Sequence, residues 1–250
     1  MIITKVHPWR DEPIDLDDAD SRSALLDLYR TNQLSTVRIN LIASVSGSVG
    51  GSDGTSTTLS NPADRRILGV IRELSDVVLV GAESVRAESY LLPRRAPLAI
   101  VTGSGDLTGH RLDPDVEPGR VYVLCPEAAV ARVEQTLAGI ESEIVVVDDV
   151  DGRLNMADVV TALRVRSLES IVCEGGPRLA AQLIDAGLVD EVCLTTSPLL
   201  NGSSVPILGK TLQEERPVSL TQLLVDDANG VYARWSLENP GITAAPSANG

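Results

Sequence analysis

From Val37 to Ser236 the chain alternates between two hydrophobic patterns. Short apolar runs fall at Val37 to Ser44 (VRINLIAS), Asp76 to Val80 (DVVLV), Leu98 to Val101, Val121 to Leu124, Ile144 to Val147, Ser170 to Cys173 and Glu191 to Thr195. A run such as DVVLV, apolar almost throughout, is what a strand covered on both faces requires. Between these runs lie stretches whose apolar residues recur at three- and four-residue spacing, which predicts helices with one buried face. In the first such helix Ile67, Val70, Ile71 and Leu74 form that face. Its start is marked by Asn61 as cap, Pro62 at the first helical position and Asp64 in the first turn. Further helices are predicted at Glu127 to Ala138, Met156 to Arg166 and Arg178 to Ala186. Near the end, Ser219 to Val225 and Val231 to Ser236 flank Asp227-Ala228-Asn229-Gly230, a pattern that predicts an antiparallel hairpin.

This order predicts an α/β domain over residues 37–238, with a mostly parallel, mixed central sheet flanked by helices and a C-terminal antiparallel hairpin. Residues 1–36 carry acids, Pro8, Pro13 and one short apolar helix-like stretch, Ala24 to Tyr29, and read as an N-terminal arm wrapping the domain. Residues 239–250, rich in Ala, Ser, Gly and Pro, read as a disordered tail. Ligands of such sheets bind beyond the carboxyl ends of the strands, so the chemistry is to be sought in the loops that follow them.

Composition narrows the partners. Hydrophobic residues make up 43% of the 250, enough for a packed core, but aromatics total 2% and Phe is absent. The net charge of −14 and the lack of aromatic stacking platforms argue against nucleic acid. A phosphorylated small molecule remains compatible, since one helix terminus and one or two Arg bind it locally. Cys125, Cys173 and Cys193 form no Cys-x-x-Cys pair, so neither a metal site nor a disulfide framework is expected. The first ten residues lack an apolar leader and no run is long enough for a membrane helix, so a cytoplasmic location is expected.

Four loops could carry chemistry. Cys173-Glu174-Gly175-Gly176-Pro177-Arg178 follows a strand and opens a helix. Its glycines allow close approach to the main chain, and the helix presents open N–H groups suited to a pyrophosphate. The alternative is a plain strand-to-helix turn. Glu174 beside an anion site either points away or serves a hydroxyl or amine on a second ligand. Gly81-Ala82-Glu83-Ser84-Val85-Arg86 follows a buried strand and suits a phosphate or an amide, or is a simple βα turn. Thr102-Gly103-Ser104-Gly105 offers hydroxyls and N–H groups to the 2′-phosphate of NADP, with no acid close behind for an NAD ribose. Ser44-Val45-Ser46-Gly47, with the polar stretch Ser52 to Ser60, suits a sugar or phosphate, or is simply mobile. No zinc-deaminase, Gly-x-Ser-x-Gly, P-loop or Gly-x-Gly-x-x-Gly motif is present, so an ordinary Rossmann domain is not expected.

Taken in order, these loops resemble the reductase half of riboflavin-pathway bifunctional deaminase–reductases and their stand-alone relatives. The resemblance runs from about Val37 to Trp235. It is carried by Arg72-Glu-Leu-Ser-Asp76 leading into Gly81-Ala-Glu-Ser-Val-Arg86, by Cys173-Glu-Gly-Gly-Pro177, and by Gly187-Leu-Val-Asp190-Glu191 leading to Ser197-Pro198 and Gly202. It implies a dihydrofolate-reductase-like fold, usually homodimeric, that binds NADPH and delivers a hydride to the ribose C1′ of a 5-phosphoribosylamino-pyrimidine. By the family pattern Gly81, Ala82, Ser84 and Val85 lie on the nicotinamide side and Thr102 and Ser104 approach the adenosine phosphate. Gly175, Gly176, Arg178 and Leu179 cradle the pyrophosphate. Substrate meets Ser44, Ser56, Ser60, Asn61, Asp64 and Glu88, with Ser46 and Glu174 as the candidate catalytic side chains.

One departure stands out. The family's first loop usually reads Ser-Leu-Asp-Gly, and here it reads Ser44-Val45-Ser46-Gly47, so the carboxylate is missing. Two further readings therefore stand beside the pyrimidine reductase. One is a reductase of another heterocycle such as dihydrofolate, and the other is a catalytically silent paralogue that binds a nucleotide.

Overall fold

The structure is a computed structural model that describes residues 1–8, 13–87, 90, 92–150, 153–202, 205–208 and 212–237. The tail expected at 239–250 lies outside the described residues. In chain order the elements are β1 (Ile2–His7), β2 (Ile14–Asp15), α1 (Ser21–Tyr29), β3 (Thr36–Ser44), α2 (Pro62–Glu73), β4 (Val77–Gly81) and α3 (Ala82–Ala87). They continue with β5 (Leu98–Val101), β6 (Val121–Cys125), α4 (Val130–Thr136), β7 (Glu143–Val146), β8 (Asp149–Val150), β9 (Arg153–Leu154) and α5 (Met156–Arg164). The last are β10 (Ser170–Gly175), α6 (Pro177–Asp185), β11 (Glu191–Ser197), β12 (Val218–Asp226) and β13 (Val231–Leu237).

Eleven strands form one sheet in the order β2-β1-β12-β13-β11-β3-β10-β4-β5-β6-β7. From β11 to β7 every neighbouring pair is parallel, and from β2 to β11 every pair is antiparallel. This is the mixed, mostly parallel sheet expected from the alternating pattern, with β12 and β13 as the C-terminal hairpin. The central strands are buried on both faces, Val77 to Val80 and Ile171 to Cys173 completely so. One face carries α1, α2, α3 and α4, and the other carries α5 and α6.

Three local differences from the sequence expectation have physical causes. The helix expected over Glu127 to Ala138 begins as a 3₁₀ turn and becomes α-helical only from Val130 to Thr136. No side chain caps its start, and Gly139, with φ of 86°, follows its end. The segment after Gly81, expected as a loop, is the short helix α3. The N-terminal segment does more than wrap the domain, because β1 pairs with β12 and widens the sheet. Its signal is weak because it lies near the sheet edge, where Ile3 is the one residue of β1 to be buried.

A buried charge cluster fixes α1 to the sheet. Glu191 on β11 accepts from Arg38 Nε on β3 at 2.6 Å and from Arg234 Nε on β13 at 2.9 Å. Arg38 also donates to the Tyr29 carbonyl at 2.8 Å, and Arg234 donates to the Leu28 carbonyl. Two cations thus cap the carbonyl end of α1, where the helix dipole is negative.

Candidate functional site

The topology reverses direction at the sheet centre. From β3 the chain steps past one position to β4 and moves outward to β7. It then returns to place β10 between β3 and β4, and β11 on the far side of β3. Such a reversal opens a crevice at the carboxyl ends of the strands. There Gly81 of β4 faces the Gly175-Gly176 pair of β10. A Cβ on Gly81 would lie 3.8 Å from the Gly176 nitrogen, and one on Gly176 would lie 3.2 Å from Ser84 Oγ. Gly175 has φ of 133°, a conformation that L side chains rarely adopt, and the Gly175–Gly176 peptide is cis.

Above these turns lies a cleft of about 800 Å³. Its walls include Gly81, Ala82, Ser84, Thr102, Ser104, Gly176, Arg178 and Leu179, eight of the ten residues expected to hold a cofactor. Of the other two, Val85 is fully buried in the core, and Gly175 contributes through the turn itself. The helix that begins here differs at its start from α2 and α5. Asn61 caps α2 by accepting from the Asp64 N–H at 2.8 Å, and Asn155 caps α5 by accepting from the Ala157 N–H at 3.0 Å. No side chain caps α6, whose N-cap is Gly176. Its first-turn N–H groups are left open toward the cleft.

Charge in the cleft runs against that of the whole chain. Among the described residues, the walls carry Arg86, Arg153 and Arg178 against one acid, Glu83. Sequence reasoning missed Arg153, Leu154 and Met156, which the β8–β9 hairpin and the start of α5 bring in. The Asp151-Gly152 dipeptide between β8 and β9 was the available signal, since Asp-Gly marks a tight hairpin. Also missed were Val49, Gly50, Val205 and Pro206, which close the opposite wall.

The residues expected to meet substrate are placed differently, and none of the described ones lines this cleft. Glu174 turns its carboxylate away from the glycine pair, into a cluster where Arg72 holds it through Nε at 2.7 Å and a terminal nitrogen at 2.6 Å. Tyr90 also donates to it. This is the first of the two orientations that the sequence left open for Glu174. Ser60 donates to Asp64 at 2.7 Å, and burial raises the Asp64 carboxyl above its ordinary range. Asn61, besides capping α2, donates to Asp226 at 2.8 Å and accepts from Tyr232 at 3.1 Å, which ties α2 to the C-terminal hairpin. Ser56 lies in the same polar stretch, where its carbonyl accepts from the Leu59 N–H. Glu88 lies outside the described residues.

Ser44 and Ser46 belong to a clasp between two loops. Their hydroxyls lie 2.9 Å apart, and both donate to the Asn201 side-chain oxygen, at 3.1 and 3.0 Å. The Asn201 amide donates to the Gly50 carbonyl at 2.8 Å, and the Val49 N–H donates to Val205. The clasp thus holds together the two loops that form the wall at Val49, Gly50, Val205 and Pro206. Thr102 is likewise committed, since its buried hydroxyl accepts from the Gly105 N–H at 3.0 Å.

A second cavity, of about 700 Å³, lies between α1 and α2 and shares no wall residue with the first among the described residues. Six arginines line it, but four are paired: Arg22 and Arg95 with Glu73, Arg66 with Asp17, and Arg72 with Glu174. Three carboxylates thus answer six arginines, so this cavity too keeps positive charge, with Arg65 and Arg94 making no ion pair among the described residues.

Comparison with known proteins places these features. A family profile described as the RibD C-terminal domain matches residues 35–228. The riboflavin biosynthesis protein RibD of Chlamydia pneumoniae is 24% identical over 227 residues, covering 83% of this chain and 58% of that protein. RibD of Escherichia coli is 25% identical, covering 67% of this chain and 49% of that protein. The chain thus spans about half the length of these curated relatives. Among solved structures, a pyrimidine reductase-like protein from Corynebacterium diphtheriae aligns with a TM-score of 0.71 at 21% identity, covering 86% of this chain and 98% of that one. The riboflavin biosynthesis reductase Rib7 of Saccharomyces cerevisiae aligns at 0.63 and 16% identity, covering 88% and 100%.

Proposed function

This chain belongs to the RibD C-terminal domain family, and we propose that it is an NADPH-dependent reductase of a pyrimidine-type metabolite, resembling the 5-amino-6-(5-phosphoribosylamino)uracil reductase of riboflavin biosynthesis. The observation that carries the reading is the uncapped start of α6 at Gly176, beside the Gly81 turn and open to the cleft. The residues fit a dinucleotide. Main chain free of side chains at Gly81, Gly175 and Gly176 admits close approach, and the open N–H groups of α6 with Arg178 suit a diphosphate. When bound, the cofactor supplies a hydride to the substrate carbon. The chain's own residues orient and enclose. Ala82 and Ser84 form the floor beside the glycines, and the loops clasped by Asn201 exclude water from the other side.

A second reading is favoured by one observation: Ser46 is engaged by Asn201. A nucleotide-binding paralogue without turnover would look the same. Thermal melting with NADPH, with NADH and with neither tests binding first, since a ligand at 100 times its dissociation constant adds about 2.7 kcal/mol. A shift with NADPH is expected, and no shift with either nucleotide removes the reductase. Loss of nicotinamide absorbance with the phosphoribosylamino-pyrimidine, or with dihydrofolate, then separates the substrates from the silent paralogue. We further propose a cytoplasmic homodimer. The exposed apolar side chains Val45, Leu199, Leu200 and Val205 beside the clasp support self-association, which light scattering measures.

A further inference from the structure

The cavity between α1 and α2 is walled by three separate stretches of chain, and one carboxylate ties them together. Glu73, at the end of α2, accepts from Arg22 of α1 and, at 3.1 Å, from Arg95 on the segment that leads into β5. Arg66 and Arg72 are drawn to Asp17 and Glu174. Arg65 and Arg94 are exposed and make no ion pair among the described residues. Six arginines against three carboxylates leave an excess of three positive charges in one space, in a chain whose net charge is −14. Like charges gathered so closely repel one another, and a multiply charged anion relieves that repulsion. The planar forks of several arginines match phosphate oxygens in particular.

A second observation is independent of charge. Gly69 lies in the middle of α2 and lines the same cavity, although glycine is a poor helix former. Packing does not require it, because a Cβ there would meet no atom within 4 Å. A helix glycine that no neighbour demands leaves bare backbone facing the cavity, where a ligand can approach it closely. The volume of about 700 Å³ falls in the range of small-molecule sites. Ser21, Arg22 and Leu25 of its wall precede residue 35, where the family match begins, so α1 supplies a side that the match does not include.

We propose that this cavity is a second binding site, for a phosphate-bearing small molecule, with Arg65 and Arg94 as its principal contacts and Gly69 as the surface against which the ligand lies. The inference stands apart from the dinucleotide reading, since the two cavities have no wall residue in common among the described residues.

Isothermal titration of the whole chain with pyrophosphate, in saturating NADPH so that the other cleft is filled, tests this without turnover. Pyrophosphate is expected to bind. Replacing both cations, Arg65→Ala with Arg94→Ala, is expected to weaken it about tenfold or more, as loss of charge-assisted contacts implies, and to leave NADPH affinity as it was. Arg111→Ala, which removes an unpaired arginine outside the cavities, is expected to change neither affinity. Gly69→Leu is expected to raise the melting temperature of the ligand-free protein and yet to weaken pyrophosphate. Melting of the other ligand-free variants checks that the fold is intact. The inference is overturned if pyrophosphate does not bind, or if the double variant or Gly69→Leu binds it as tightly as the parent. Failure of NADPH to bind removes the reductase reading alone, and the pyrophosphate affinities of the variants then decide this one.

Discussion

At Glu191 one carboxylate serves two arginines in a nearly dry site, and the consequence is measurable. Burial alone pushes its carboxyl up, but Arg38 and Arg234 outweigh burial and hold it below its ordinary value of 4.5. A carboxyl held low in the fold contributes stability above its unfolded pKa, and loses that contribution as pH falls through the folded value. Glu191→Gln is expected to cost about 3–5 kcal/mol at neutral pH, because two buried cations then lack their partner. Denaturant melts at pH 7 measure the loss, and the variant should lose less further stability on acidification than the parent. Residues such as this were the least legible in the sequence. Glu174 and Ser46 stood out because they occupy motif positions, but nothing in their spacing announces Arg72 and Tyr90, or Asn201, as partners. Those contacts join residues 84, 102 and 155 positions apart along the chain.

Helix starts show how local chemistry becomes legible at the scale of elements. Asn61-Pro62 predicted both the cap and the first residue of α2, because both effects are local. The structure adds that Asn61 also anchors the C-terminal hairpin through Asp226 and Tyr232. Asn61→Ala is therefore expected to cost about 1–2 kcal/mol, the upper part of the range for losing a cap. The turn after β5 is more demanding. Gly105 has φ of 71°, and a Cβ there would lie 2.5 Å from the Ala129 carbonyl. Gly105→Ala is expected to cost more than the roughly 1–2 kcal/mol of the left-handed conformation alone. It should also weaken nucleotide binding, since Thr102 is fixed through the Gly105 N–H. Paired melting and titration of this variant would show both losses, whereas loss of stability alone would uncouple the turn from the cleft. The β8–β9 hairpin escaped the sequence reading because two-residue strands leave no periodicity to detect.

For the whole molecule, the alternation of apolar runs and amphipathic stretches was enough to specify the parallel half of the sheet. Buried strands in a chain almost without aromatics can be built only from continuous Val, Leu, Ile and Ala. Strand β1, next to the sheet edge, needed tertiary pairing with β12 to exist, so its sequence carried little sign of it. The glycine side of the cleft, where we propose the cofactor binds, was legible because backbone approach and helix dipoles require glycines at fixed offsets from strand ends. The arrangement of the residues expected to meet substrate was not, because those polar residues are engaged with partners distant in sequence. Two cavities with unpaired arginines compete for an anionic ligand, and what sets the cleft apart is that it also opens on the glycine turns and the uncapped start of α6. Amide hydrogen exchange with and without NADPH distinguishes them. The account requires protection at Gly81 to Ser84, Thr102 to Ser104 and Gly176 to Leu179, with α1 and the outer face of α2 unchanged. Protection confined to α1 and α2, or none at the glycine turns, would contradict it.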